Sequence, residues 1–165
     1  MSDLGLEPLV EGDATLRGLR EADLPATFAW RNDPRSRQWF HSDAVIEWDA
    51  HLAWFRGYLE KAGDHVFVLE VGGRPVAQVS LYGVEGDAAE FGRLLVDPET
   101  RGKGYGRVAS VLCLRVADEV LGFGLVHLEV KRENVAAIRI YEALGFVVAP
   151  SNATPADSLY MMRRG

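Results

Sequence analysis

Cysteine is almost absent: Cys113 is the only one in 165 residues, so no disulfide can close within the chain. There is no run of 18 apolar residues and no basic-then-apolar start, which argues against a membrane span or a secretory leader. The expectation is a soluble, reduced, cytoplasmic protein with no membrane partner. Positive charge is in deficit, 18 Lys and Arg against 24 Asp and Glu for a net charge of −6. A protein that coats duplexes needs the opposite balance to displace counterions from phosphate, so nucleic acid is not an expected partner. Repeats, linkers, low-complexity stretches and a Gly-x-Ser-x-Gly elbow are all missing. The four histidines, His41, His51, His65 and His127, have no tight spacing with cysteine or acids, and no metal is expected. What is abundant is apolar surface, 48% of residues, enough for one sizeable core and therefore for a single domain over 1–165.

Residues 14–20 alternate apolar with polar and read as a strand. Asp23 follows, placed to cap a helix that carries Leu24, Phe28 and Trp30. Asn32-Asp33-Pro34 should break that helix, because proline pushes the residue before it out of the α region. A second helix is expected over 46–61, with Leu52, Phe55 and Leu59 near helical spacing. The runs 66–71 and 75–82, joined by Gly72-Gly73, form a hairpin signal, and 90–96 is a further strand ended by Asp97-Pro98. Val108, Leu112, Val116 and Val120 repeat every four residues, which predicts an amphipathic helix over 104–121. After Gly122 and Gly124 come a strand at 125–130, a helix at 134–144, a short strand at 146–149 and a last one at 158–162 that could pair with it. The order β-α-α-β-β-β-α-β-α-β-β favours an α/β or α+β sheet with helices on its faces.

The most informative stretch runs from Leu94-Leu95-Val96-Asp97-Pro98 to Arg101-Gly102-Lys103-Gly104-Tyr105-Gly106-Arg107. Three glycines in five residues let backbone N–H groups converge at a helix start, where the free donors and the helix dipole favour an anion. Arg101, Lys103 and Arg107 add positive charge with no acid among 101–107. A phosphate site is the simplest reading. It is not a Walker A loop, since Lys103 is followed by glycine, and not a Rossmann fingerprint, since Arg107 stands where the third glycine belongs.

This Arg101-x-x-Gly104-x-Gly106 loop after a strand resembles the acetyl-coenzyme-A loop of the GNAT N-acetyltransferases. Asn134-x-x-Ala137-x-x-x-Tyr141-Glu142-x-x-x-Gly145-Phe146 resembles the family's next helix and strand. The resemblance spans about residues 14–163. It implies a central mixed, mostly antiparallel sheet of about seven strands with about four helices, and direct transfer of acetyl from acetyl-CoA to an amine. By the same resemblance the backbone of Leu94, Leu95 and Val96 would hold the pantetheine arm, the N–H groups of Gly102 to Arg107 the pyrophosphate, and Asn134 the cofactor arm. Tyr141, two turns after Asn134 and so on the same face, would protonate the sulfur.

For the base two acids compete. Glu90 stands eleven residues before Arg101, as in the histone-acetylating branch, and Glu129 five before Asn134, as in the branch acetylating ribosomal proteins. A solvent-facing strand-end acid is the plainer reading of Glu90, and a cross-strand ion pair that of Glu129. Half of the aromatic residues, with all four tryptophans, fall within 28–58. Most should be core. The segment Trp30-Arg31-Asn32-Asp33-Pro34 followed by His51-x-x-Trp54-Phe55 resembles the branch acetylating nucleotide-linked amino sugars. It implies Trp30 and Arg31 as acceptor contacts, with Arg31 pairing a phosphate; polyamines, aminoglycosides and protein N-termini are the alternatives. A non-catalytic acetyl-CoA sensor on the same fold also remains open. Exposed strands near the C-terminus could pair two subunits as a homodimer.

Overall fold

The computed structural model describes residues 6–165. Eight strands form one sheet in the order β1-β2-β3-β4-β5-β6-β8-β7: β1 Leu9–Glu11, β2 Ala14–Gly18, β3 His65–Val71, β4 Arg74–Glu85, β5 Ala88–Val96, β6 Leu125–Lys131, β7 Val147–Val148 and β8 Ser158–Arg164. Every pairing is antiparallel except β5 with β6. Five α-helices accompany it: α1 Leu24–Asn32, α2 Pro34–Arg37, α3 Trp48–Glu60, α4 Tyr105–Arg115 and α5 Val135–Ala143. None of the described helices is long and apolar enough to cross a membrane.

Strand alternation explains why both sheet faces are covered. Phe67 and Leu69 of β3 enter a large core with Leu112 and Ala109 of α4, whereas Val66 and Val68 enter a second with Phe55 and Tyr58 of α3. Cys113 is fully buried in the larger core, where burial pushes its thiol up, as expected of an inert side chain.

Some local expectations change. Asp23 does not cap α1. It accepts Nη1 and Nη2 of buried Arg17 at 2.7 and 2.8 Å and closes the preceding turn by accepting Arg20 N–H at 2.8 Å. Pro34 stops one helix and starts another: Asp33 accepts Arg35 N–H at 2.8 Å and so caps α2, with Pro34 at its first position. Short β1 and α2 carry too few residues for a period to be visible, and they account for the eighth strand and fifth helix. The helix expected over 104–121 is α-helical only to Arg115; 116–121 widens into a π-helix ended by Gly122 at φ 69°.

Candidate active site

β5 and β6 pair only over Ala88–Glu90 with Leu125–His127, and beyond that register both strands continue unpaired with each other. The gap opens into a cleft of about 140 Å³ lined by Glu90, Leu94, Glu129, Asn134 and Tyr141. Residues expected from separate motifs thus meet at one place.

Near β5's end lies the glycine loop. Gly102 and Gly104 take φ of 83° and 81°, values an L side chain rarely adopts, and a Cβ on either would enter open space. Gly104 immediately precedes α4, so the first N–H groups of an eleven-residue helix are left without a side-chain cap. Gly106 is helical and lets Val96 approach, for a Cβ there would lie 3.3 Å from Val96 Cγ2. Asp97 braces the loop by accepting Glu99 N–H at 3.0 Å and Arg74 Nη2 at 2.9 Å. Of the three expected cations, Arg101 donates to Ser36 Oγ at 2.8 Å and lies 4.0 Å from Asp33, so it ties the loop to α2. Lys103 and Arg107 have no ion pair among the described residues, and Tyr105 packs on the larger core.

Neither acid follows its plainer reading. Glu90 accepts the Tyr82 hydroxyl at 2.6 Å across paired strands, and Tyr82 is held far above its usual pKa, first by burial and then by that bond. Glu129 lies opposite Tyr160 rather than a cation, and its Oε2 is buried with no hydrogen-bond partner. Tyr141 meets Phe91 and Phe146 edge-on, and burial pushes its phenol up to about 12. The Asn134 side-chain oxygen caps α5 by accepting Ala137 N–H at 3.4 Å, which leaves its amide N–H₂ for a ligand.

A larger cavity of about 440 Å³ adjoins the cleft, sharing Phe40, His41 and Arg93 with it. Arg31 lines it, as expected. Trp30 does not: it is 4% exposed and lines neither cavity. On α1 it falls in the inward row with Leu24 and Thr27. The aromatic cluster reaches the cavity through Phe40 and Trp54, not Trp30.

Sequence reasoning missed Tyr82, Gln78 and Arg93. β5 carries a bulge facing Gln78–Ser80 in which Arg93 takes φ 54°, while Gln78 Nε2 donates to its carbonyl at 3.2 Å. The Arg93 guanidinium lies 4.1 Å over the Tyr82 ring and donates to Asp64 at 2.7 Å. One signal was available: Gly92 inside a strand, the usual mark of a bulge or close approach. A Cβ there would stand 2.8 Å from the Tyr82 hydroxyl. No group of three His, Cys, Asp or Glu that could hold a metal occurs among the described residues.

The model of the acetyltransferase (GNAT) domain family matches residues 13–147. Spermidine N(1)-acetyltransferase of Escherichia coli K12 is 30% identical over 142 residues, 81% of this chain and 72% of that one. An uncharacterized protein of Methanocaldococcus jannaschii is 26% identical over 134 residues, 79% of this chain. The chain spans 27%, 19% and 43% of the length of three of the curated relatives it matches. Among solved structures, Vibrio cholerae spermidine N-acetyltransferase in complex with CoA and spermine superposes with a TM-score of 0.84 at 22% identity, covering 93% of this chain and 96% of that one.

Proposed function

The chain belongs to the GNAT acetyltransferase family, and from that premise we propose that it is an acetyl-CoA-dependent N-acetyltransferase that moves an acetyl group directly to a primary amine of a small molecule. The observation that carries this reading is the shared cleft: an acid with a buried unpartnered oxygen, Glu129, and a protonated phenol, Tyr141, line one gap between β5 and β6. A purely structural carboxylate would be expected to find a donor.

The residues fit the cofactor. Uncapped N–H groups of α4 after Gly104, together with Lys103 and Arg107, suit a pyrophosphate, and the open space at Gly102 and Gly104 is where a Cβ would intrude. The free edge of β5 at Leu94, Leu95 and Val96 offers backbone partners to an extended amide-bearing arm, and Asn134 offers its amide. Acetyl-CoA bound there supplies an activated acetyl thioester.

The chain then has two proton tasks. Glu129 takes the proton that the attacking amine must lose, through Oε2, directly or through water. Tyr141 delivers its proton to the sulfur; a raised pKa keeps the phenol protonated until a strong base forms beside it. Glu90 already accepts from Tyr82 and shapes the cleft wall.

For the acceptor, the name of the Escherichia coli relative supports a polyamine ahead of a nucleotide-linked amino sugar, which moves the expectation placed on Trp30-Arg31-Asn32. Self-association through the sheet edge belongs to the same reading, since β7 ends the sheet with Val147 and Val148 exposed. The test is thiol release from acetyl-CoA with a panel of spermidine, amino-sugar nucleotides, aminoglycosides, peptide N-termini and simple primary amines. Turnover with an amine and its loss in Glu129→Gln is expected. Tight acetyl-CoA binding with no turnover on any amine would mean a sensor instead.

A further inference from the structure

Resting on the reading that a primary amine is acetylated, we infer that the 440 Å³ cavity selects an acceptor that carries a carboxylate and an apolar body, the carboxylate seated on Arg31. The observation is an imbalance of charge. Arg31 Nη1 is buried with no hydrogen-bond partner, and the guanidinium forms no ion pair among the described residues. The guanidinium lies over the Phe40 ring, 4.3 Å from its centre. A half-buried cation whose inner nitrogen has neither a hydrogen-bond partner nor a counter-charge is costly. The fold does not relieve that cost: Arg37 beside it carries the same sign.

No acid among the described residues lines the cavity. Asp33 is committed to Arg35 and Asp64 to Arg93, while Asp43, Glu47 and Asp49, next in sequence to Ser42, Ile46 and Ala50, are not part of the lining. His51 cannot replace an anion. Burial and Arg31 both lower its pKa, and its Nε2 lies 3.1 Å from Thr27 Oγ. A second ammonium, as in the polyamine that the Escherichia coli relative's name suggests, would meet a free guanidinium and no lining carboxylate, so on this point the cavity's lining parts the chain from that relative. A phosphate dianion is a poorer match, since Arg93 is held by Asp64 and Gln78 by the Arg93 carbonyl, which leaves Arg31 as the one lining guanidinium free to meet it. A monoanion that accepts the planar fork in two parallel bonds fits what is there. Because the cavity shares Phe40, His41 and Arg93 with the Glu129 cleft, an acceptor lodged on Arg31 would have its amine directed toward that cleft.

The test uses matched probes on the full chain saturated with acetyl-CoA or CoA. L-phenylalanine and L-leucine are compared with phenethylamine, isopentylamine and spermidine in thiol release. Binding of 3-phenylpropanoate, which has the carboxylate and no amine, is followed by calorimetry. The expected result is a kcat/KM preference of about ten- to hundredfold for the carboxylate-bearing member of each pair, the range of a charge-assisted hydrogen bond. Arg31→Met should collapse that ratio toward one and abolish 3-phenylpropanoate binding, and Arg31→Lys should restore part of both. Preference for spermidine or for the plain amines, equal losses on both members in Arg31→Met, or no 3-phenylpropanoate binding would overturn the inference while leaving amine acetylation standing. Binding of 3-phenylpropanoate through Arg31 with no turnover on any amine would keep the anion site and remove the acetyltransferase reading.

Discussion

Tyr82 of β4 donates its hydroxyl hydrogen to Glu90 Oε2 of β5 at 2.6 Å, so one of the two cleft acids is already engaged while Glu129 Oε2 has no partner. The two glutamates should therefore respond differently to the same substitution. Glu129→Gln is expected to lower kcat by about 10²-fold or more, the range for a positioned base. Glu90→Gln, which still accepts from Tyr82, should lower it by less than about tenfold. Steady-state kcat of the two variants side by side, with acetyl-CoA affinity followed by calorimetry, checks the assignment: the loss should fall on kcat in Glu129→Gln and leave cofactor affinity unchanged in both.

Tyr141 packs against aromatic edges, and burial pushes its phenol up to about 12. Tyr141→Phe keeps the packing and removes only the hydroxyl. Turnover is expected to fall by about 10²-fold with little change in the KM for acetyl-CoA. Steady-state kinetics on both substrates check this, and wild-type turnover would assign the proton to water.

Gly104 and Gly106 serve different ends. At φ 81° an alanine at Gly104 is strained by about 1–2 kcal/mol, yet its Cβ meets no protein atom within 4 Å. What it meets is the volume proposed for the pyrophosphate. Gly104→Ala should thus fold with modest loss of stability and bind acetyl-CoA at least about tenfold more weakly, the worth of roughly one hydrogen bond to a charged group. Gly106→Val, by contrast, presses on Val96 and should cost more stability. Calorimetry for affinity and denaturant titration for stability separate the two.

His51 and His65 are both buried with pKa values lowered chiefly by that burial; Arg31 adds to the effect on His51, and Asp64 partly opposes it on His65. Each stays neutral in the folded chain at a pH where the unfolded chain, titrating near 6.5, has taken up a proton. The unfolded state then binds more protons, so stability is full above 6.5 and declines as pH falls below it, by at most about 1.4 kcal/mol per pH unit for each histidine. Denaturation midpoints at pH 7.5, 6.5 and 5.5 measure the slope. His65→Gln should flatten it, since His65 Nδ1 has no partner to lose.

The legible parts of the molecule were those with a long period or a dense motif. The strands around Gly72-Gly73 and the helix after Gly104 repeat their apolar positions often enough to fix where each element lies. Asn134 and Tyr141 reach the same cleft because seven residues make two helical turns. Trp30 misled because a large aromatic ring near a polar motif looks like a contact, whereas its helical row with Leu24 and Thr27 turns it inward and leaves the next residue, Arg31, facing the cavity. Tyr82 and Arg93 were invisible for another reason. Their roles depend on a bulge that brings residues eight to 29 positions apart together, as in the bonds from Tyr82 to Glu90 and from Arg93 to Asp64.

The parting of β5 from β6 after Glu90 and His127 makes this an unfinished sheet. Alternate amides of 91–96 are occupied by β4, and the others look into the gap. One core packs strands of both halves, but in the backbone the strands β1 to β5 on one side and β6, β8 and β7 on the other are joined by a short parallel seam of three residue pairs. An extended ligand that bonds to those idle amides acts as a ninth, transient strand. Filling the gap would therefore slow deuterium uptake along β5 and β6 far from any atom that reacts, so that loading the catalyst also lengthens the seam between its two halves.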